Sequence, residues 1–119
     1  MFNDILRRIV EECDGGIGAM LMGYDGIPVD QYDTADTVTD LQMIAVEYAN
    51  VLKEIRSMAE VLNLGDMEEV AIRTDRLQFL VRVITPEYFV AMTLHHDGNF
   101  GKARYLLTRE TGNLLAELL

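Results

Sequence analysis

The sequence predicts a single α+β sandwich built around an antiparallel sheet. Three observations carry that prediction. A chain of 119 residues fits one domain, and its half-apolar, quarter-charged composition is that of a globular core, not of a disordered chain. Three strand candidates, Met67 to Thr74, Leu77 to Ile84 and Tyr88 to His95, are joined only by Asp75-Arg76 and Thr85-Pro86-Glu87. Such linkers are too short for helical crossovers, so the strands form an antiparallel meander. Helix-periodic segments stand before, between and after the strands, in the order helix, two strands, long helix, three strands, helix. No repeat, linker or low-complexity region interrupts residues 1–119, which read as one domain.

The first helix follows from Phe2, Ile5, Leu6, Ile9, Val10 and Cys13, which recur at spacings of three and four, and Gly15-Gly16 ends it. Ile17 to Gly23 and Ile27 to Tyr32 are short apolar runs rich in strand formers, separated by Tyr24-Asp25-Gly26. Asp-Gly in that position signals a tight hairpin, because Gly26 accepts a positive φ. A calcium loop would need oxygen ligands at regular offsets, whereas Asp25 is followed directly by Gly26, Ile27 and Pro28. A phosphate loop would lead into a helix, and this one leads into a strand. Pro28 has no N–H to give a neighbour, which places the second strand at a sheet edge.

Thr34-Ala35-Asp36-Thr37 reads as a loop, with Thr37 or Thr39 capping a long helix from Val38 to Leu64. Leu41, Ile44, Ala45, Tyr48, Leu52, Ile55, Ala59 and Leu62 form its sheet-facing stripe, and Asn63-Leu64-Gly65 supplies the stop. After the meander, Asp97-Gly98-Asn99 caps a last helix from Phe100, with Ala103, Leu106, Leu107, Leu114 and Leu118 on its apolar face.

Twenty acidic residues against ten basic ones give a formal charge of −10, which disfavours nucleic acid and anionic lipid as partners. The lone Cys13 excludes an internal disulfide and reads as a small buried residue in a reducing compartment. No apolar window approaches membrane-span length and the first residues lack a signal-peptide pattern, so the expected location is cytoplasmic. His95 and His96 are adjacent and would point to opposite faces of a strand, which rules out joint metal chelation there. Asp25, Asp30, Asp33, Asp36 and Asp40 read as a solvated acidic stretch, Arg76 as an exposed turn residue, and Met20 and Met22 as core. Ser57 has no nucleophile-elbow context. No cofactor, metal or active site is expected.

One feature of the long helix points outward. Met43, Val46, Val61 and Leu64 project onto the half opposite Tyr48 and Leu52, among Glu47, Asn50, Lys53, Glu54 and Ser57. Met43 and Val46, bordered by Glu47, Asn50 and Lys53, have the make-up of an apolar centre with a polar rim, suited either to a partner contact or to a dimer seam.

Together, IGAMLMGYDGIPVD, the long helix, and HDGNFGKARYLLTRETGNLLAEL resemble the Roadblock/dynein light-chain domain family over essentially the whole chain. Gly18-Ala19 before the first strand's apolar run, Asp25-Gly26 at the hairpin tip and Gly101-Lys102-Ala103-Arg104 opening the last helix carry the likeness. The resemblance implies a five-stranded antiparallel sheet with the long helix on one face and the two terminal helices on the other. It also implies a homodimer formed through the long helix and the strand after it, which assigns Val70, Ala71 and Ile72 to the dimer interface. A compact version of this kind looks MglB-like: a regulator and GTPase-activating partner of a small Ras-like GTPase, with no active site of its own. The alternative is a non-catalytic scaffold or a dynein-light-chain-like adaptor.

Overall fold

The computed structural model describes residues 1–34 and 41–119, and the side chains of all of these except 41 and 42. The elements are α1 (Phe2–Glu11), β1 (Gly16–Gly23), β2 (Pro28–Asp33), α2 (Leu41–Val61), β3 (Glu69–Arg73), β4 (Leu77–Val83), β5 (Tyr88–His95) and α3 (Phe100–Leu118). Their order is the one predicted. The predicted helix start at Val38, its Thr37 or Thr39 cap, and Asp36 and Asp40 fall outside the described residues. The strand predicted over Met67 to Thr74 is shorter, Glu69–Arg73.

All five strands form one antiparallel sheet in the order β2-β1-β5-β4-β3. Pro28 therefore begins an edge strand, as its missing N–H requires. The hairpin before it is a turn in which Gly26 takes φ +86° and the Asp25 carboxylate accepts the Ile27 N–H at 3.0 Å.

Both faces of the sheet are buried, and residue alternation assigns each side chain to one of two cores. Ala19 and Leu21 of β1, Leu80 of β4 and Val90, Met92 and Leu94 of β5 pack beneath α1 and α3, against Leu6, Ile9, Leu106, Leu107 and Leu114. Met20 and Met22 of β1, Val81 of β4 and Phe89 of β5 pack on the opposite face, beneath Ala45, Tyr48, Ala49 and Leu52 of α2. Both methionines are core residues, as predicted.

Two glycines join the halves of the chain. Gly15, at φ +83°, lies so close to Gly98 that a Cβ built on it would sit 2.5 Å from the Gly98 Cα. The contact is sealed by His95 N–H to the Gly15 carbonyl at 2.8 Å and Asn99 N–H to the Asp14 carbonyl at 3.0 Å. The buried Gln78 amide donates to the carbonyls of His95, His96 and Gly98 from the neighbouring strand. Asn99 then caps α3 by accepting the Lys102 N–H.

The end of the long helix differs from the prediction. Leu62, assigned to the inner stripe of the long helix, is 58 % exposed. The helix stops at Val61 because Asn63 adopts φ 56°, with Leu64 N–H returning to the Ala59 carbonyl and Asn63 N–H to that of Glu60. That is a Schellman closure with asparagine in the left-handed position, so Leu62 lies beyond the last turn.

Glu110 is the buried acid that helix periodicity did not reveal. It is 2 % exposed on α3 and accepts from Arg8 of α1 at 2.8 Å, from Arg109 at 2.9 Å and from Asn113 at 2.9 Å. The bond from Arg8 does most to hold its carboxyl well below the usual range, at about 2. A depressed carboxylate stabilises the fold above its unfolded pKa, and that stabilisation fades as pH falls from about 4.5 through 2. Glu110→Gln is expected to cost about 1–3 kcal/mol at pH 7, since both arginines keep partial access to water, and to flatten the acid limb of stability below pH 5. Chemical denaturation at pH 7 and pH 3 measures both effects; equal losses at the two pH values would contradict this role.

Candidate protein-interaction surface

β3 closes one side of the sheet, with no further strand beyond it among the described residues. Thr74 N–H bonds to the Leu77 carbonyl and Val83 N–H to the Glu68 carbonyl, which fixes the phase of the β3–β4 ladder. Residues 68, 70, 72 and 74 thus direct their peptide groups at β4. By antiparallel alternation, Glu69, Ala71 and Arg73 direct theirs outward, at the open edge. Of the predicted dimer residues, Val70 is half-buried against the α2-side core, while Ala71 and Ile72 are exposed. Ala71 stands at the centre of the edge.

Ile72 belongs to a second feature. With Met43, Ile44, Glu47, Tyr48 and Val51 it lines a shallow groove between α2 and β3. Tyr48 forms its inner wall, its ring 5.2 Å from that of Phe79 at 57°. Burial pushes the Tyr48 phenol above its ordinary range, so it stays neutral at physiological pH. Glu47 is the one charged residue among the described residues of the lining.

The predicted partner residues do not form one cluster. Met43 is 63 % exposed and, with Glu47, faces β3 across the groove. Val46 is 37 % exposed and turns toward the β1–β2 hairpin, its methyl 3.8 Å from where a Gly26 Cβ would lie. Asn50 and Lys53 are exposed. Sequence reasoning missed Val51, 43 % exposed in the groove beside Ile72, and Met58, 52 % exposed seven residues further along the same helix. A signal for them was present: Ile44, Tyr48, Val51, Ile55, Met58 and Leu62 alternate spacings of four and three, the rhythm of a helix–helix seam.

The other singled-out residues sit elsewhere. His95 and His96 are exposed at the end of β5, with His96 Nε2 3.4 Å from an Arg73 nitrogen. Cys13 is buried, its thiol directed at the Asn99 carbonyl at 3.5 Å and pushed up in pKa by burial. Arg76 is exposed in the β3–β4 turn. Among the described residues, no group of three or more His, Cys, Asp or Glu is placed to hold a metal ion, and no helix is long and apolar enough to cross a membrane.

A five-stranded antiparallel sheet bearing one long helix on one face and two terminal helices on the other defines a Roadblock-type domain, and the chain belongs to the Roadblock/LC7 domain family. Within it the chain is MglC-like. The crystal structure of MglC from Myxococcus xanthus is 37 % identical, with 98 % of each chain covered and a TM-score of 0.72. Two more distant structures share the fold. A Roadblock/LC7 domain from Streptomyces avermitilis has 14 % identity, a TM-score of 0.86 and coverage of 98 % of this chain and 96 % of that one. The gliding protein MglB from Thermus thermophilus has 16 % identity, a TM-score of 0.84 and coverage of 95 % and 84 %. No protein-family model matches the chain, and no curated protein sequence matches it.

The Asp25 carboxylate accepts a hydrogen bond within the hairpin itself, and the described lining of the groove is apolar side chains with one carboxylate, the make-up of a protein contact. Calorimetric titration of the isolated protein with GTP, Mg²⁺ and Ca²⁺ is expected to give no heat of specific binding; micromolar affinity for any of them would overturn this assignment.

Proposed function

We propose that the protein is a homodimeric regulator of a small Ras-like GTPase, acting by protein contact without an active site of its own. In this reading it activates GTP hydrolysis by gripping the switch regions and ordering the GTPase's own catalytic groups, so the gain comes from positioning. The observation that carries the proposal is the continuity of the α2 groove with the open β3 edge. An unpaired edge beside an apolar helix flank is an aggregation hazard for a monomer, and a two-fold mate satisfies both at once. Paired edges centred on Ala71 bring two copies of the Val51–Met58 flank together. Membership of a family whose solved relatives carry the names MglC and MglB supports the GTPase as the partner class.

In this arrangement Met43 and Glu47 lie at the rim of the dimer seam. Val46, Asn50 and Lys53 remain on the outer side of α2 as the surface offered to the GTPase. A second reading is a non-catalytic scaffold or adaptor, in which the same outer surface of α2 binds its partner and leaves nucleotide turnover unchanged.

Ala71→Pro removes an outward N–H while leaving the β3–β4 ladder intact, so it is expected to weaken dimerisation without unfolding the protomer. Sedimentation tests this, and a wild-type protein that is monomeric at micromolar concentration would sink the dimer.

Single substitutions separate the two faces of α2. Met43→Asp is expected to loosen the dimer. Val46→Asp is expected to spare the dimer and cost about 2–4 kcal/mol of GTPase binding, through a charge buried without a partner. Size-exclusion chromatography with and without the cognate GTPase reads both. Nucleotide turnover in the same mixtures distinguishes activator from scaffold: acceleration supports the first, binding at unchanged turnover the second.

A further inference from the structure

A crevice at the far end of α2 lies apart from the groove. Arg56 extends from the helix toward the β1–β2 and β4–β5 turns, where its guanidinium sits 4.0 Å over the Tyr24 ring and donates to the Pro86 carbonyl at 2.7 Å. This side chain divides the crevice in two. Glu60 and Asp66 line one half, and Asp25 and Glu87 line the other. None of the four carboxylates has an ion-pair partner among the described residues, so four carboxylates surround one guanidinium.

Tyr24 supplies an independent observation. It lines both halves, is 6 % exposed, and its hydroxyl is buried with no hydrogen-bond partner among the described residues. Buried hydroxyls are ordinarily satisfied, and one that is not marks a place where a donor or acceptor is missing. The Tyr24–Phe89 ring contact, at 5.1 Å and 60°, fixes the ring from the core side. Tyr24 lines the crevice on both sides of Arg56, so the crevice is the open side from which a partner for the oxygen can arrive.

We propose that this crevice receives arginine or lysine side chains from a basic protein segment, with the carboxylates on either side of Arg56 pairing with the cations and the Tyr24 hydroxyl accepting an N–H. Charge decides the sign of the ligand. A carboxylate entering beside Arg56 would gain one favourable contact and meet up to four repulsive ones, while a cation reverses that balance in a chain whose formal charge is already −10. Arg56 already shows that the site accommodates a guanidinium, stacked on Tyr24 and hydrogen-bonded to a turn carbonyl. A rotamer change in Arg56, whose fork is held by one hydrogen bond, opens Tyr24 to an incoming cation. The proposal stands apart from the GTPase reading, and its test contains no GTPase.

The probe is the peptide acetyl-Gly-Arg-Gly-Arg-Gly-amide, titrated into isotope-labelled protein beside its lysine and glutamate counterparts. The arginine and lysine peptides are expected to shift the backbone amide signals of Tyr24, Arg56, Asp66 and Glu87, and the glutamate peptide to leave them in place. The double substitution Glu60→Gln with Asp66→Asn is expected to weaken binding about tenfold. Tyr24→Phe discriminates between a ligand contact and a merely structural tyrosine: removing an unsatisfied hydroxyl leaves thermal stability equal or higher, yet should weaken peptide binding about threefold. Shifts spread evenly over the acidic surface, equal binding of the glutamate peptide, or unchanged affinity in Tyr24→Phe would each overturn the proposal.

Discussion

The antiparallel pairing of β1 with β5 is the constraint on which the rest of the molecule depends. It joins a strand from the first hairpin to the last strand of the meander, from Gly16 opposite Leu94 to Gly23 opposite Tyr88. Once these two are neighbours, β2 can only lie outside β1, and β4 and β3 outside β5. The pairing is held at one end by the contact of Gly15 with Gly98, which leaves no room for a Cβ. Gln78 reinforces that end by binding three carbonyls of the turn with one amide. A sheet made in this way has a buried centre and two edges of different character.

The edge at β2 is closed in several ways. Pro28 offers no N–H, a bulge separates the Leu21 and Met22 pairings, and Asn3 of α1 donates to the Gln31 carbonyl at 2.9 Å. The edge at β3 has no covering of this kind among the described residues, and its central residue, Ala71, is small. Charged side chains at Glu69 and Arg73 flank it, and Arg104 of α3 anchors Glu69 through two nitrogens. This asymmetry gives the domain a direction of growth. One side ends the sheet and the other invites continuation.

The two faces differ as well. Between α1 and α3, charged groups are paired: Arg8 with Glu110, Arg109 with both Glu12 and Glu110. No described side chain of α2 itself takes part in an ion pair, and the helix exposes Met43 and Val51 beside β3. Surface that is apolar and without internal ion pairs is the kind that protein contacts cover. The acidic remainder keeps such a molecule soluble and biases which partners approach it.

Local chemistry made much of this legible in the sequence. Periodicity located every helix and strand, Asp25-Gly26 identified the hairpin, and Pro28 placed β2 at an edge, because each reports a backbone preference settled within a few residues. Family likeness supplied the layer arrangement, which periodicity alone left open. Three matters were decided only by tertiary structure. Glu110 is buried because Arg8, more than a hundred residues away in sequence, comes within 2.8 Å. Met43 and Val46, one turn apart on a helix, face different neighbours because β3 flanks one side of α2 and the hairpin tip the other. Tyr24 reads as an ordinary turn-flanking aromatic until Arg56 and Pro86 close over it. The physical reason is common to all three: a sequence encodes which residues prefer burial, but the partner that meets each one is set by contacts between segments far apart in the chain.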